Sequence, residues 1–132
     1  MPKEAVFYGK SEQEVHNMSL TEFGKFVPSR QRRLILRGFS DAQKILLEKV
    51  KVAHDGKRKK PLKTHCRDMI VLPQMLGLII HVYTGKEYIP VEIDLEKLGH
   101  YLGEFALTRR RLVHSAPGLG ASRSSAGQKG KK

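Results

Sequence analysis

Hydrophobic positions follow a helical period in the first part of the chain and an alternating one in the second. Ser19-Leu20-Thr21-Glu22 has the form of a capping box, in which the serine hydroxyl accepts from an orphan amide and the glutamate reaches back. Leu20, Phe23, Phe26 and Val27 recur at helical spacing, and Pro28 ends that helix and suits the first turn of another. This next helix, through Arg30, Arg32, Arg33 and Arg37 to Gly38, is too basic to be core. Ser40 and Gln43 fit a second capping box. Behind it Ala42, Ile45, Leu46, Val50 and Ala53 are expected on one helix face, with Lys44, Glu48, Lys49 and Lys51 on the other. Asp55-Gly56 ends that helix, and Lys57-Arg58-Lys59-Lys60 before Pro61 reads as a loop that cannot pack.

From Met69 the pattern is that of strands. Met69-Ile70-Val71-Leu72 is a short β-type run stopped by Pro73, while Leu78 to Tyr83 and Tyr88 to Ile93 flank a turn at Thr84-Gly85-Lys86-Glu87 and predict a hairpin. In its second strand Ile89, Val91 and Ile93 share one face, and Tyr88, Pro90 and Glu92 the other. Pro90 cannot donate to a ladder, which puts that strand at an edge. A helical turn from Asp94 to Leu98 leads into Gly99-His100-Tyr101-Leu102-Gly103-Glu104-Phe105. The last 24 residues have only Leu112, Val113 and Leu119 as large aliphatics and are expected to be a disordered basic tail. The chain thus reads as α+β, in three parts: a helical N-terminal extension (1–39), a globular part (40–108) and the tail (109–132).

Charge gives the pattern a direction. The 132 residues carry a net charge of +12, concentrated in residues 30–67 and in the tail from 109, whereas residues 68–108 are net acidic. Such a surface favours polyanions, and nucleic acid over lipid, because no basic segment carries a long apolar face. No apolar run approaches the roughly 20 residues of a spanning helix, and one cysteine forms no disulfide scaffold, so a membrane protein and a disulfide-stapled one are both excluded. Met1-Pro2-Lys3-Glu4 has no signal-peptide character, and a reducing intracellular compartment is expected.

Catalytic constellations find little support. His65 and Cys66 are neighbours in sequence without a nucleophile signature, and six histidines lack metal-ligand spacing. The glycines form no phosphate-cradling loop. Glu87, Glu92, Asp94 and Glu96 read as a solvated face rather than a magnesium site. No catalytic residue, metal or cofactor is expected. The basic clusters instead point to phosphate neutralisation, with Tyr101, His65 and His100 available to stack on unpaired bases. An architectural DNA-binding protein is the competing class, but neither a helix-turn-helix nor a dimerising heptad is visible.

Residues 84–108 add a resemblance. Thr84-Gly85-Lys86, Ile93, Leu98-Gly99-His100-Tyr101-Leu102-Gly103-Glu104-Phe105 and Thr108 closely resemble the signature of the small-subunit ribosomal protein family S-nineteen. Lys63-Thr64-His65-Cys66-Arg67-Asp68-Met69-Ile70 and Leu72-Pro73-Gln74-Met75-Leu76-Gly77 resemble that family's preceding block. The N-terminal helical segment, His65 in place of a bacterial-type Trp, and Pro117 to Ser125 are similar to the archaeal and eukaryotic branch, with an archaeal source favoured.

The resemblance implies a cytoplasmic, ribosome-bound, non-enzymatic protein with a small mixed β-sheet packed by helices. It implies binding to 16S-type small-subunit rRNA in the subunit head, pairing with small-subunit ribosomal protein thirteen, and a tail reaching toward the tRNA sites. Basic character and resemblance together nominate Arg30, Arg32, Arg33, Lys57, Arg58, Lys59, Lys60, Lys63, Thr64, His65, Arg67, Lys86, His100, Tyr101, Thr108, Arg109, Arg110, Arg111 and Arg123 as rRNA contacts. Glu104 is expected to order loop amides or pair with a base. Gln74 stands where the family usually has an acid, and Lys97 where it usually has an apolar Met.

Overall fold

Serine caps set the helical half of the structure, a computed structural model that describes residues 4–113. Helices α1 (Glu12–His16), α2 (Leu20–Phe26), α3 (Ser29–Arg37) and α4 (Asp41–His54) follow one another with short breaks. Both expected capping boxes form. The Ser19 amide donates to Glu22 and the Glu22 amide to Ser19 Oγ, each at 3.3 Å, and Ser40 and Gln43 exchange the same pair at 3.0 and 3.5 Å. A third capping box, closed by a carboxylate, precedes α1. There the Ser11 amide donates to Glu14 and holds the Glu14 carboxyl below its ordinary range, so this contribution is present near neutral pH and is lost as the pH falls through the depressed value.

Strands β1 (Leu62–Thr64), β2 (Ile79–Tyr83) and β3 (Tyr88–Glu92) form a three-stranded mixed sheet in the order β1-β2-β3. β1 runs parallel to β2, with Leu62 opposite Ile80. β2 and β3 are the expected hairpin, with Tyr83 opposite Tyr88 and His81 opposite Pro90. β3 is an edge, as Pro90 requires. The expected turn after it is a 3-10 turn at Leu95–Lys97. There Lys97 Nζ lies 3.2 Å from Asp94 and 5.8 Å from the centre of the Phe105 ring, so a lysine can occupy an otherwise apolar position by packing its stem.

Two expectations are corrected. Met69 to Leu72 are all fully buried but form no strand of the sheet. They pair instead with the loop at 99–102: the Val71 amide donates to His100 O at 2.8 Å, the Leu102 amide to Met69 O at 2.9 Å, and the Gly99 amide to Val71 O at 3.1 Å. The run's hydrophobicity reported burial rather than a place in a sheet. On α4 the inward residues are Gln43, Leu46 and Val50, while Ala42 is exposed and Ile45 is 52% exposed. Gln43 takes an inward position because its amide caps Ser40 on one side and donates to Asp68 O on the other, at 3.5 Å.

Val15, Phe23 and Val27 from the N-terminal helices share one core cluster with Val50, Met69, Ile80, Val82, Ile93 and Leu102. Gly99 sits at that junction with φ +79°, where a Cβ would lie 3.0 Å from Val27 Cγ1. The loop that follows is tied down by Arg67, which is half-buried. Its guanidinium donates to Tyr83 O and Gly103 O at 2.9 Å each and also to Ala106 O, while the Gly103 amide returns a bond to Arg67 O at 2.9 Å. A side chain at Gly103 would be crowded there, since its Cβ would stand 3.0 Å from Arg67 O and 3.1 Å from Arg67 Cβ.

Replacing Arg67 with Leu strips three carbonyls of their donor at once. The expected loss is about 2–4 kcal/mol, read as a lower denaturant midpoint at unchanged m.

Candidate nucleic-acid interface

α3 is the helix least committed to the core, with no buried residue along its length. Spacing of three and four residues puts Arg30, Arg33, Leu34 and Arg37 on one side, where they line a cleft of about 250 Å³ together with Asp68 and Tyr101. Tyr101 is half-buried, and its backbone is pinned in a bridge to Ile70. Among the described residues, the guanidinium groups of Arg30, Arg33 and Arg37 make no ion pair. Arg32 is different. Its Nε donates to Gly24 O at 2.8 Å and its Nη2 to Val27 O at 3.3 Å, so it joins α3 to the end of α2.

The loop before β1 presents Lys57, Lys59 and Lys60 to solvent, as its composition requires, while Arg58 is half-buried and leans on Pro61 O at 3.5 Å. Alternation along β1 then separates its residues. Lys63 points outward, and Thr64 is buried, accepting the Cys66 amide on its hydroxyl at 3.0 Å. On the outer face of the sheet the Lys63 ammonium lies 5.0 Å from the centre of the Tyr88 ring. The His65 ring lies 4.3 Å from the Tyr83 ring and tilted 40° to it, with its Nε2 2.8 Å from the Tyr88 hydroxyl. Tyr83 and Tyr88 were not among the residues nominated from sequence. The hairpin register that puts them opposite each other was readable, but not that His65 from another strand's end would complete the cluster.

At the hairpin tip, Lys86, Thr108 and Arg110 line a second open cleft with Thr84 and Glu87, and Arg110 pairs with Glu87 at 3.1 Å. Arg109 and Arg111 are exposed. His100 does not line the cleft of α3: its Nδ1 is 2.8 Å from a Glu104 carboxylate oxygen, and it lines a separate cleft together with Phe7, Tyr8 and Phe26. Glu104 therefore orders a side chain rather than loop amides. The expected contact at Arg123 and the expected disorder of the tail over 114–132 lie outside the described residues.

The nominated residues thus divide. Arg30, Arg33 and Tyr101 meet in one cleft, Lys63 and His65 on the sheet's outer face, and Lys86, Thr108 and Arg110 at the hairpin tip. Arg32, Thr64 and Arg67 each commit polar side-chain atoms to backbone partners within the protein. Among the described residues no three His, Cys, Asp or Glu side chains gather as metal ligands, and no helix is long and apolar enough to cross a membrane.

Residues 33–114 match the family described as Ribosomal protein S19. The chain is similar to proteins called small ribosomal subunit protein uS19 from three archaea. It is 47% identical to that of Nitrosopumilus maritimus over 125 residues, 95% of each chain, and 47% identical to that of Cenarchaeum symbiosum with the same coverage. Against the Saccharolobus solfataricus protein the identity is 49% over 120 residues, covering 90% of this chain and 86% of the relative.

Exchanging Lys57, Lys59 and Lys60 together for Gln should leave thermal stability unchanged, since none of the three side chains is buried. The log–log salt slope of polyanion binding should fall by about 0.7–0.9 for each phosphate that the variant no longer neutralises, read by titrating a structured RNA at several salt concentrations.

Proposed function

The chain belongs to the ribosomal protein S19 family, and from that premise we propose that it is a structural constituent of the small-subunit head, holding 16S-type rRNA in place and catalysing nothing. The observation that carries this reading is the row of Arg30, Arg33 and Arg37 on one side of α3, three guanidinium forks that no carboxylate of the described residues neutralises. Planar forks match phosphate oxygens, and a charge left unpaired on a fixed helix is available to a ligand at little reorganisation cost.

In this reading Lys57, Lys59, Lys60 and Lys63 follow a second stretch of backbone along the sheet's outer edge, with His65 beside them. Lys86 and Thr108 to Arg111 meet rRNA at the hairpin tip, and His100 and Tyr101 contact bases. Arg32, Thr64 and Arg67 act indirectly, by fixing the elements that carry the others. The exposed acids Glu92, Asp94 and Glu96 repel RNA and suit a protein neighbour, for which we propose small-subunit ribosomal protein thirteen. Residues 1–39 brace the globular part (40–108), and residues 109–132, Arg123 included, extend toward the tRNA sites. The working location is the ribosome, in the cytoplasm.

Sucrose-gradient sedimentation of a cell extract tests this. The protein should co-migrate with small subunits and stay there through a high-salt wash, because an integral component is not held by screenable phosphate contacts alone. Migration at the top of the gradient, or with chromosomal DNA, would overturn the proposal in favour of an architectural role. A chain ending at Val113 should melt at the same temperature as the full chain yet bind small-subunit rRNA more weakly and with a shallower salt slope, since it lacks four of the chain's bases.

A further inference from the structure

The cleft beside α3 holds charges of both signs that do not neutralise each other. Arg30, Arg33 and Arg37 line it together with Asp68, yet the Asp68 carboxylate lies within ion-pair distance of none of them, and its side chain accepts no hydrogen bond among the described residues. Asp68 is nevertheless not a loose residue. Its backbone carbonyl receives the buried Gln43 amide, and its neighbour is Arg67, with three bonds into the core. Tyr101, half-buried and with its backbone pinned to Ile70, lines the same cleft. A cleft of about 250 Å³ lined by three cationic forks, one flat ring and one carboxylate without a partner among the described residues is complementary to a ligand that combines an anion, a planar body and hydrogen-bond donors.

We propose that this cleft takes one unpaired guanosine of the bound RNA: the arginines hold its flanking phosphates, Tyr101 stacks on the base, and the Asp68 carboxylate reads the base edge. The inference rests on the rRNA-binding reading above and adds the identity of the nucleotide. An ionised carboxylate only accepts hydrogen bonds. Guanine alone among the four bases offers two adjacent donors on its Watson–Crick edge, N1–H and the N2 amino group, and these match the two oxygens of one carboxylate. Adenine and cytosine each set a ring-nitrogen acceptor beside their amino group, and uracil flanks its single donor with two carbonyls. Each of these would turn a lone pair toward Asp68. Edges of this kind are open only in unpaired RNA, where aromatic stacking also operates.

The test uses the full chain and fluorescein-labelled hexauridylates in which the third residue is guanosine, inosine or adenosine, titrated by fluorescence anisotropy at low salt. The guanosine oligomer should bind about tenfold tighter than the adenosine one. Inosine, which keeps N1–H and lacks the amino group, should fall between them. Asp68→Ala should erase the preference and Asp68→Asn reduce it, neither altering the melting temperature, because the side chain holds no hydrogen bond or ion pair among the described residues. Arg33→Gln should weaken all three oligomers alike, since phosphate carries no base identity. Equal binding of the guanosine and adenosine oligomers, or a preference that survives Asp68→Ala, would overturn the inference. Filter binding of the small-subunit rRNA by the unaltered chain separates the two levels: rRNA bound without guanosine preference refutes only the guanosine site, whereas rRNA not bound refutes the reading beneath it.

Discussion

A single cation organises the half of the molecule that carries the candidate interface. The Arg67 guanidinium reaches three backbone carbonyls, one at the end of β2 and two in the segment after Tyr101, with no carboxylate of the described residues among its partners. Carbonyls in such loops have no strand or helix partner, and leaving them dry and unpaired would cost more than any one contact returns. One planar donor satisfies all three and fixes the loop against the sheet. Gly103 permits this by bringing backbone where a side chain would crowd Arg67. Because Asp68 follows Arg67 directly and Tyr101 precedes the clamped segment, the same arrangement positions two of the residues that line the cleft beside α3.

Much of this architecture was legible in the residues, wherever local chemistry decides the outcome. Serine followed three residues later by Glu or Gln fixed the starts of α2 and α4, and a Gly-containing turn between alternating runs fixed the hairpin. Long-range pairing was not legible. β1 is three residues long, too short for its alternation to register, and the buried run at 69–72 joins a loop thirty residues away instead of the sheet. The turned face of α4 has the same origin: Gln43 is polar in sequence but buried in fact, because both ends of its amide are occupied.

For the interface, the sequence identified basic residues without distinguishing those facing outward from those used internally. Arg30, Arg32 and Arg33 look alike in a string of letters, yet the 100° step of the helix sends Arg32 back onto α2 and leaves the other two in the cleft. Thr64 and Lys63 part for the analogous reason on a strand. The Tyr83–Tyr88 pair became chemically interesting only when His65 and Lys63 closed over it, an arrangement that depends on β1 lying parallel beside β2.

The β3 edge of the sheet bears on the interval before assembly. A ribosomal component is made apart from its RNA, and a strand with an open row of amides would template pairing between copies during that wait. β3 carries Pro90 in its middle, accommodated at an edge with its nitrogen on the free side, and Glu92 beyond it. The donor row of β3 is thus interrupted and flanked by charge, which disfavours pairing with a second copy along that edge while the basic surfaces are still without a partner.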